Sequence, residues 1–166
     1  MTTDELRSTT VRTVLVCDDR PELRKAIALV LSDVPRFVVV GEAIDGVTCL
    51  QRVRETVPDV LILDVSMPGG GPSVASAAKQ INPGMHILVF SGRQDTRIQR
   101  EMLGAGADQY VVKTGRLRPL LEALNQAFAD GMMVAPADPL PRPMSQRVDR
   151  SDPDDGLRGS RESSSR

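Results

Sequence analysis

The sequence predicts an α/β domain: a doubly wound, five-stranded parallel sheet with helices on both faces. Three observations carry this expectation. Five short apolar runs alternate with five segments of helical period, the pattern of strands joined by crossover helices. The run Val60 to Leu63 is continuously apolar, as a strand buried on both faces must be. Polar residues follow the carboxyl ends of four runs, where open sheets of this class place their ligands.

The elements follow in order. Val11 to Cys17 reads as a buried strand. Pro21 to Ser32 reads as a helix, with Leu23, Ile27, Val30 and Leu31 on one face and Pro21 suited to the first turn. Phe37 to Val40 is the second strand. Asp45 to Val57 is the second helix, its apolar stripe assigned to Val47, Leu50, Val53 and Val57. After the third strand, Val60 to Leu63, the loop "SMPGGGP" leads into an Ala-rich helix, Ser73 to Ile81. His86 to Phe90 is the fourth strand and Arg93 to Leu103 the fourth helix. Gln109 to Val112 is a short fifth strand. Arg116 to Ala129 closes the pattern as a helix with Leu117, Leu120, Leu121, Leu124 and Phe128 in phase.

Composition narrows the function classes. The 166 residues suffice for one domain with a real core. A net charge of -1 provides no global field toward DNA or a membrane surface. With no Trp, one Tyr and three Phe, the core must be aliphatic. Cys17 and Cys49 form no C-x-x-C pair and read as buried free thiols in a reducing compartment. The N-terminus lacks the pattern of a signal peptide, and no segment reaches a membrane-spanning length, so a cytoplasmic location is expected. Residues 1–10 are expected to be a flexible N-terminus. Residues 130–166, rich in Pro, Ser, Arg and Asp, are too poor in apolar residues to offset their ordering entropy and are expected to be disordered.

Asp18, Asp19 and Asp64 fall at carboxyl ends of strands, as do Ser91 and Lys113. Singly, each has a structural reading: a turn and helix cap for the acid pair, loop capping for Asp64, a solvated lysine for Lys113. Together they converge on one rim. Three carboxylates within about 4–6 Å repel by several kcal/mol at an effective dielectric near 20. A hard divalent cation such as Mg²⁺ resolves that repulsion. A carboxylate is also a nucleophile for phosphoryl transfer, which needs a metal, a lysine and a hydroxyl donor around the transferred group.

The motifs "VCDD", "LILDVSMPG", "VFSG" and "GADQYVVKT" resemble the receiver domains of bacterial two-component response regulators, most nearly the branch that often carries a helix-turn-helix output. The resemblance covers Val11 to Ala129 and implies a flavodoxin-like fold with strand order 2-1-3-4-5. It implies that Asp64 is the phosphoacceptor, with Mg²⁺ held by Asp18, Asp19, Asp64 and the main-chain carbonyl of Ser66. Ser91 would be the hydroxyl that moves toward the phosphoryl oxygens, Lys113 would pair with them, and Tyr110 would be the switch aromatic. Two features depart from the pattern. Lys113 is followed by Thr114-Gly115 where a cis proline is usual, and without proline no cis bond is expected. "MPGGGP" is one residue short, leaving Gly71 or Pro72 to open the third helix.

Arg93, two residues past the hydroxyl, is expected to reach or screen the phosphoryl group, and Ser66 holds the matching position past the acceptor. The lone His86, at the far end of its strand, is expected to be structural. The implied function is a phosphorylation-dependent switch, charged by a histidine kinase or phosphotransfer protein. It assists its own phosphoryl transfer and hydrolysis without being a dedicated enzyme. Output is expected through an unknown downstream protein, or a homodimer, on the face of the fourth helix, fifth strand and fifth helix. No direct DNA binding and no membrane contact are expected. Competing readings are a phosphorylation-independent scaffold, which has no need of three clustered acids, and a flavin enzyme of similar architecture. In the latter, "DDRPE" would repel a cofactor phosphate.

Overall fold

The computed structural model describes residues 10–129. The expected flexible segment 1–10, Thr10 apart, and the expected disordered segment 130–166 lie outside the described residues. Chain order is β1 (Arg12–Cys17), α1 (Pro21–Ser32), β2 (Phe37–Ala43), α2 (Gly46–Thr56), β3 (Val60–Leu63), α3 (Pro72–Ile81), β4 (His86–Ser91), α4 (Thr96–Gly104), β5 (Gln109–Val112) and α5 (Arg118–Ala127). All strand pairs are parallel, in the expected order β2-β1-β3-β4-β5. The chain leaves β1 toward β2 and then crosses back to β3, so the topological switch point lies between β1 and β3. That crevice, at the carboxyl ends, is where this class of sheet binds ligands.

The twofold period of each strand divides the core into two layers. Leu15, Cys17, Leu61, Leu63, Ile87 and Val89 face one way and pack with Cys49 and Val53 of α2, Val74 and Ala78 of α3 and Met102 of α4. Val14, Val16, Val60, Ile62, Leu88 and Phe90 face the other way and pack with Ile27 and Leu31 of α1 and Leu120 and Leu124 of α5. The sheet is thereby sealed on both sides.

Several boundaries differ from the sequence reading for identifiable reasons. β2 runs on to Ala43 because its ladder with β1 resumes after a register shift at Val14/Leu15. The buried stripe of α2 is Gly46, Cys49 and Val53, with Leu50 beside it. Val47 lies about 100° round the helix from Gly46 and is 79% exposed. Val57 lies beyond the helix, in the left-handed conformation (φ 43°), and is also exposed. α4 starts at Thr96 rather than Arg93, because Asp95 caps it by accepting from the Arg97 amide. α5 starts two residues late, with Pro119 in its first turn.

Candidate functional site: an acidic rim at the switch point

The sheet ladder extends one residue past the ends of β1, β3 and β5 and so fixes the backbone of the predicted site. The Asp18 amide donates to the Ala43 carbonyl (3.1 Å), that of Asp64 to Cys17 (2.9 Å) and that of Lys113 to Ser91 (2.8 Å). Asp18 and Asp64 are only 2% and 3% exposed, and Ser91 is wholly buried. Asp19 faces solvent. One carboxylate oxygen from each of Asp18, Asp19 and Asp64 lies within 4.8 Å of the other two.

Lys113 enters this cluster from β5. Its Nζ lies 2.5 Å from Asp18 Oδ2 and 3.3 Å from Asp64 Oδ1, and 5.6 Å from the centroid of the Phe90 ring. Asp18 has two further contacts: Oδ1 accepts from the Arg20 amide (2.9 Å) and lies 3.7 Å from Arg20 Nε. The turn-forming role of Asp18 therefore coexists with the ionic one. Asp64 Oδ1 accepts from the Ser66 amide (3.2 Å), leaving Oδ2 without a hydrogen-bond donor among the described residues. Three hard carboxylate oxygens at this spacing fit Mg²⁺, which takes oxygen ligands and keeps waters in the remaining positions.

The loop after Asp64 packs tightly. The Gly70 amide closes a turn on the Met67 carbonyl, and a Cβ at Gly70 would meet the Asp64 carbonyl oxygen at 2.8 Å. Gly71 (φ 112°) opens α3, with Pro72 in its first turn, so the two residues share the role left open by the sequence. The loop also docks on α2, where the Gly46 amide donates to the Pro68 carbonyl. On the other side of the site, no cis peptide occurs among the described residues, and Gly115 (φ 81°) turns the chain after Lys113.

Ser91 and Tyr110 meet at Arg93. The Arg93 amide donates to Ser91 Oγ (3.3 Å), and the Tyr110 hydroxyl donates to the Arg93 carbonyl (2.9 Å). The Tyr110 ring packs on the core layer beneath α4. Burial pushes the Tyr110 phenol up from its ordinary value, a hydrogen bond with Ser91 opposes this, and the Asp64 charge adds to it. The expected switch pair thus shares one hydrogen-bonded corner. The Arg93 side chain is exposed.

His86 lies at the opposite end of β4, near Gln109 and Asp108 and edge-on to Phe128, consistent with a structural role. Cys17 and Cys49 are buried free thiols. Burial first, and then the neighbouring Cys49, raise the Cys17 thiol, which keeps it unreactive. Sequence reasoning missed Arg20, Arg24 and Glu42. Arg24 Nη1 donates to the Asp18 carbonyl (2.8 Å) and its Nε to Glu42 Oε2 (2.7 Å). The available signal was Glu42 itself, a charge interrupting the apolar run of β2.

Comparison with known proteins agrees with this arrangement. Residues 14–125 match the response regulator receiver domain family. The response regulator GacA of Pseudomonas aeruginosa is 33% identical over 124 residues, 74% of this chain and 58% of its own length. The nitrate/nitrite response regulator NarL of Escherichia coli is 33% identical over 126 residues, 75% of this chain and 58% of its own. The chain thus spans somewhat over half the length of these curated relatives. Among solved structures, the signal receiver domain of NarL from Mycobacterium tuberculosis superposes with a TM-score of 0.66 at 30% identity, covering 71% of this chain and 96% of that one. A two-component response regulator of the LuxR family from Aurantimonas gives 0.67 at 28% identity, covering 72% and 86%. With the sheet order, the acidic rim and the sequence pattern all in agreement, the chain belongs to the response regulator receiver domains of two-component systems.

Proposed function

We propose that this receiver domain is a phosphorylation-dependent signalling switch whose acceptor is Asp64. The observation that supports this most strongly is the pairing of a nearly buried Asp64 with Asp18 and Asp19 within 4.8 Å and with Lys113 Nζ at 3.3 Å. In the proposed step an Asp64 oxygen forms a bond to phosphorus as the N–P bond of a phosphohistidine donor breaks. The electron pair leaves with the imidazole nitrogen. The donor is a histidine kinase or phosphotransfer protein. Asp18, Asp19, Asp64 and the Ser66 carbonyl would hold Mg²⁺, which would supply charge neutralisation for the transferring group. Lys113 exchanges part of its hold on Asp18 for the new phosphoryl oxygens, and Ser91 donates its hydroxyl to them. Because Ser91, Arg93 and Tyr110 are linked, that movement is passed to the α4–β5–α5 surface. Output then runs through protein–protein contact there, with no direct DNA contact by the domain itself. Water attack on the same phosphorus regenerates Asp64, with Arg93 tuning its rate.

The test is the intact mass of the protein after incubation with acetyl phosphate, with and without Mg²⁺, beside Asp64→Asn. A single Mg²⁺-dependent phosphate adduct, absent from the variant, supports the switch. An adduct that persists in Asp64→Asn contradicts it. Absence of any adduct in the folded parent, with a cognate phosphohistidine donor also silent, favours a phosphorylation-independent scaffold.

A further inference from the structure

From the contacts of α1 we infer that Arg24 is a positioning residue for the Mg²⁺ seat, clamping the Asp18–Asp19 peptide to β2 through Glu42. This rests on the functional reading of the acidic rim given above. The Arg24 side chain is only 14% exposed and forks between two acceptors on different elements. One is the main-chain carbonyl of Asp18 at 2.8 Å, and the other is Glu42 Oε2 at 2.7 Å. The Asp18 carbonyl lies in the planar peptide that joins Asp18 to Asp19. Its orientation therefore sets where the Asp19 Cα, and with it the exposed Asp19 carboxylate, stands relative to Asp64. The Asp18 amide is already tied to Ala43, at the end of the same strand that carries Glu42. With Arg24 in place, the turn is held to β2 at both its amide and its carbonyl.

The planar guanidinium is suited to this two-way grip, and a lysine ammonium is not. Glu42 has a second effect: it offsets the Arg24 charge, which otherwise opposes a cation at the rim. The expected effect is therefore opposite in sign to that of simple electrostatics. Deleting a positive charge near a cation site strengthens cation binding if charge alone matters. If Arg24 positions the ligands, deletion weakens it.

The experiment is calorimetric titration of Mg²⁺ into the full chain, without any phosphoryl donor, for the parent, Arg24→Ala, Arg24→Lys and Glu42→Gln. Folding is monitored by far-ultraviolet circular dichroism and by backbone amide resonances. Loss of a supporting contact of this kind costs about tenfold or more in metal affinity. The expected result is thus a Kd about tenfold higher in Arg24→Ala, a smaller rise in Arg24→Lys, and a modest, salt-sensitive rise in Glu42→Gln. The Asp18 and Asp19 amide resonances shift in Arg24→Ala before Mg²⁺ is added. A folded Arg24→Ala with unchanged or lower Kd overturns the inference. Should Arg24→Ala not fold, Arg24→Lys decides it, since charge is retained and an unchanged Kd again overturns it. A parent that binds no Mg²⁺ overturns the functional reading and this inference together, whereas a binding parent with indifferent variants overturns this inference alone.

Discussion

Replacing Lys113 by Met keeps the apolar stem and removes a cation that touches both Asp18 and Asp64. At an effective dielectric near 20, contacts of 2.5 and 3.3 Å correspond to gross attractions of about 7 and about 5 kcal/mol. Carboxylate oxygens no more than 4.8 Å apart repel by about 3 kcal/mol or more per pair on the same scale. Attraction and repulsion are therefore of similar size, and Lys113 is what lets three acids share the rim without a metal. Truncating one partner of a buried charge pair costs about 3–5 kcal/mol, so a loss of at least about 3 kcal/mol is expected here. With a denaturant slope of about 2 kcal/mol per molar urea, the midpoint drops by about 1.5 M. Urea unfolding of parent and variant, each in EDTA and in saturating Mg²⁺, measures this directly. The loss should be full in EDTA and shrink below about 1 kcal/mol in Mg²⁺, since the cation then offsets the acids' repulsion. Equal losses in both buffers would show that Lys113 does not offset the acids' repulsion.

Three further predictions follow from other parts of the molecule. Gly46→Ala places a Cβ 2.1 Å from the Gly69 carbonyl oxygen, an overpacking cost of about 1–3 kcal/mol, so its Tm should fall by several degrees; an unchanged Tm contradicts the close approach of α2 to the loop after Asp64. Burial holds His86 below the usual histidine value, with Asp108 opposing. The unfolded chain therefore takes the proton more readily, and the stabilising contribution is full above a pH of about 6.5 and is lost as pH falls through the lower native pKa. His86→Gln should flatten that part of the stability profile, and an unaltered slope assigns it elsewhere. Arg93→Ala should alter the rate at which phosphate is lost from the charged protein, as followed by the decay of the adduct mass; an unchanged rate removes Arg93 from the site.

Much of this molecule was legible because its strands are short, aliphatic and bounded by polar residues. Val60–Leu63 and Gln109–Val112 coincide with β3 and β5 residue for residue. Asp18, Asp64, Ser91 and Lys113 were recognisable as a group because each follows or ends a strand, and a parallel sheet brings strand ends to one rim. The errors lie where local pattern underdetermines phase. Val47 and Val57 are apolar and nearly periodic, yet α2 buries the smaller Gly46 and Cys49 because the loop after Asp64 and the sheet require close approach there. The end of β2 was hidden by Gly41 and Glu42, which break an apolar run without breaking the ladder. The forked contact of Arg24 links α1, the β1–α1 turn and β2, and no spacing rule encodes such a meeting.

Chemical mapping of the phosphorylated side chain decides whether Asp64 takes the phosphoryl group. The protein is charged with acetyl phosphate and Mg²⁺, reduced with borohydride and digested for peptide mass analysis. Borohydride converts an acyl phosphate to the primary alcohol with release of phosphate. That conversion is expected at position 64, with Asp18 and Asp19 untouched. Conversion at Asp18 or Asp19 with Asp64 intact would contradict it.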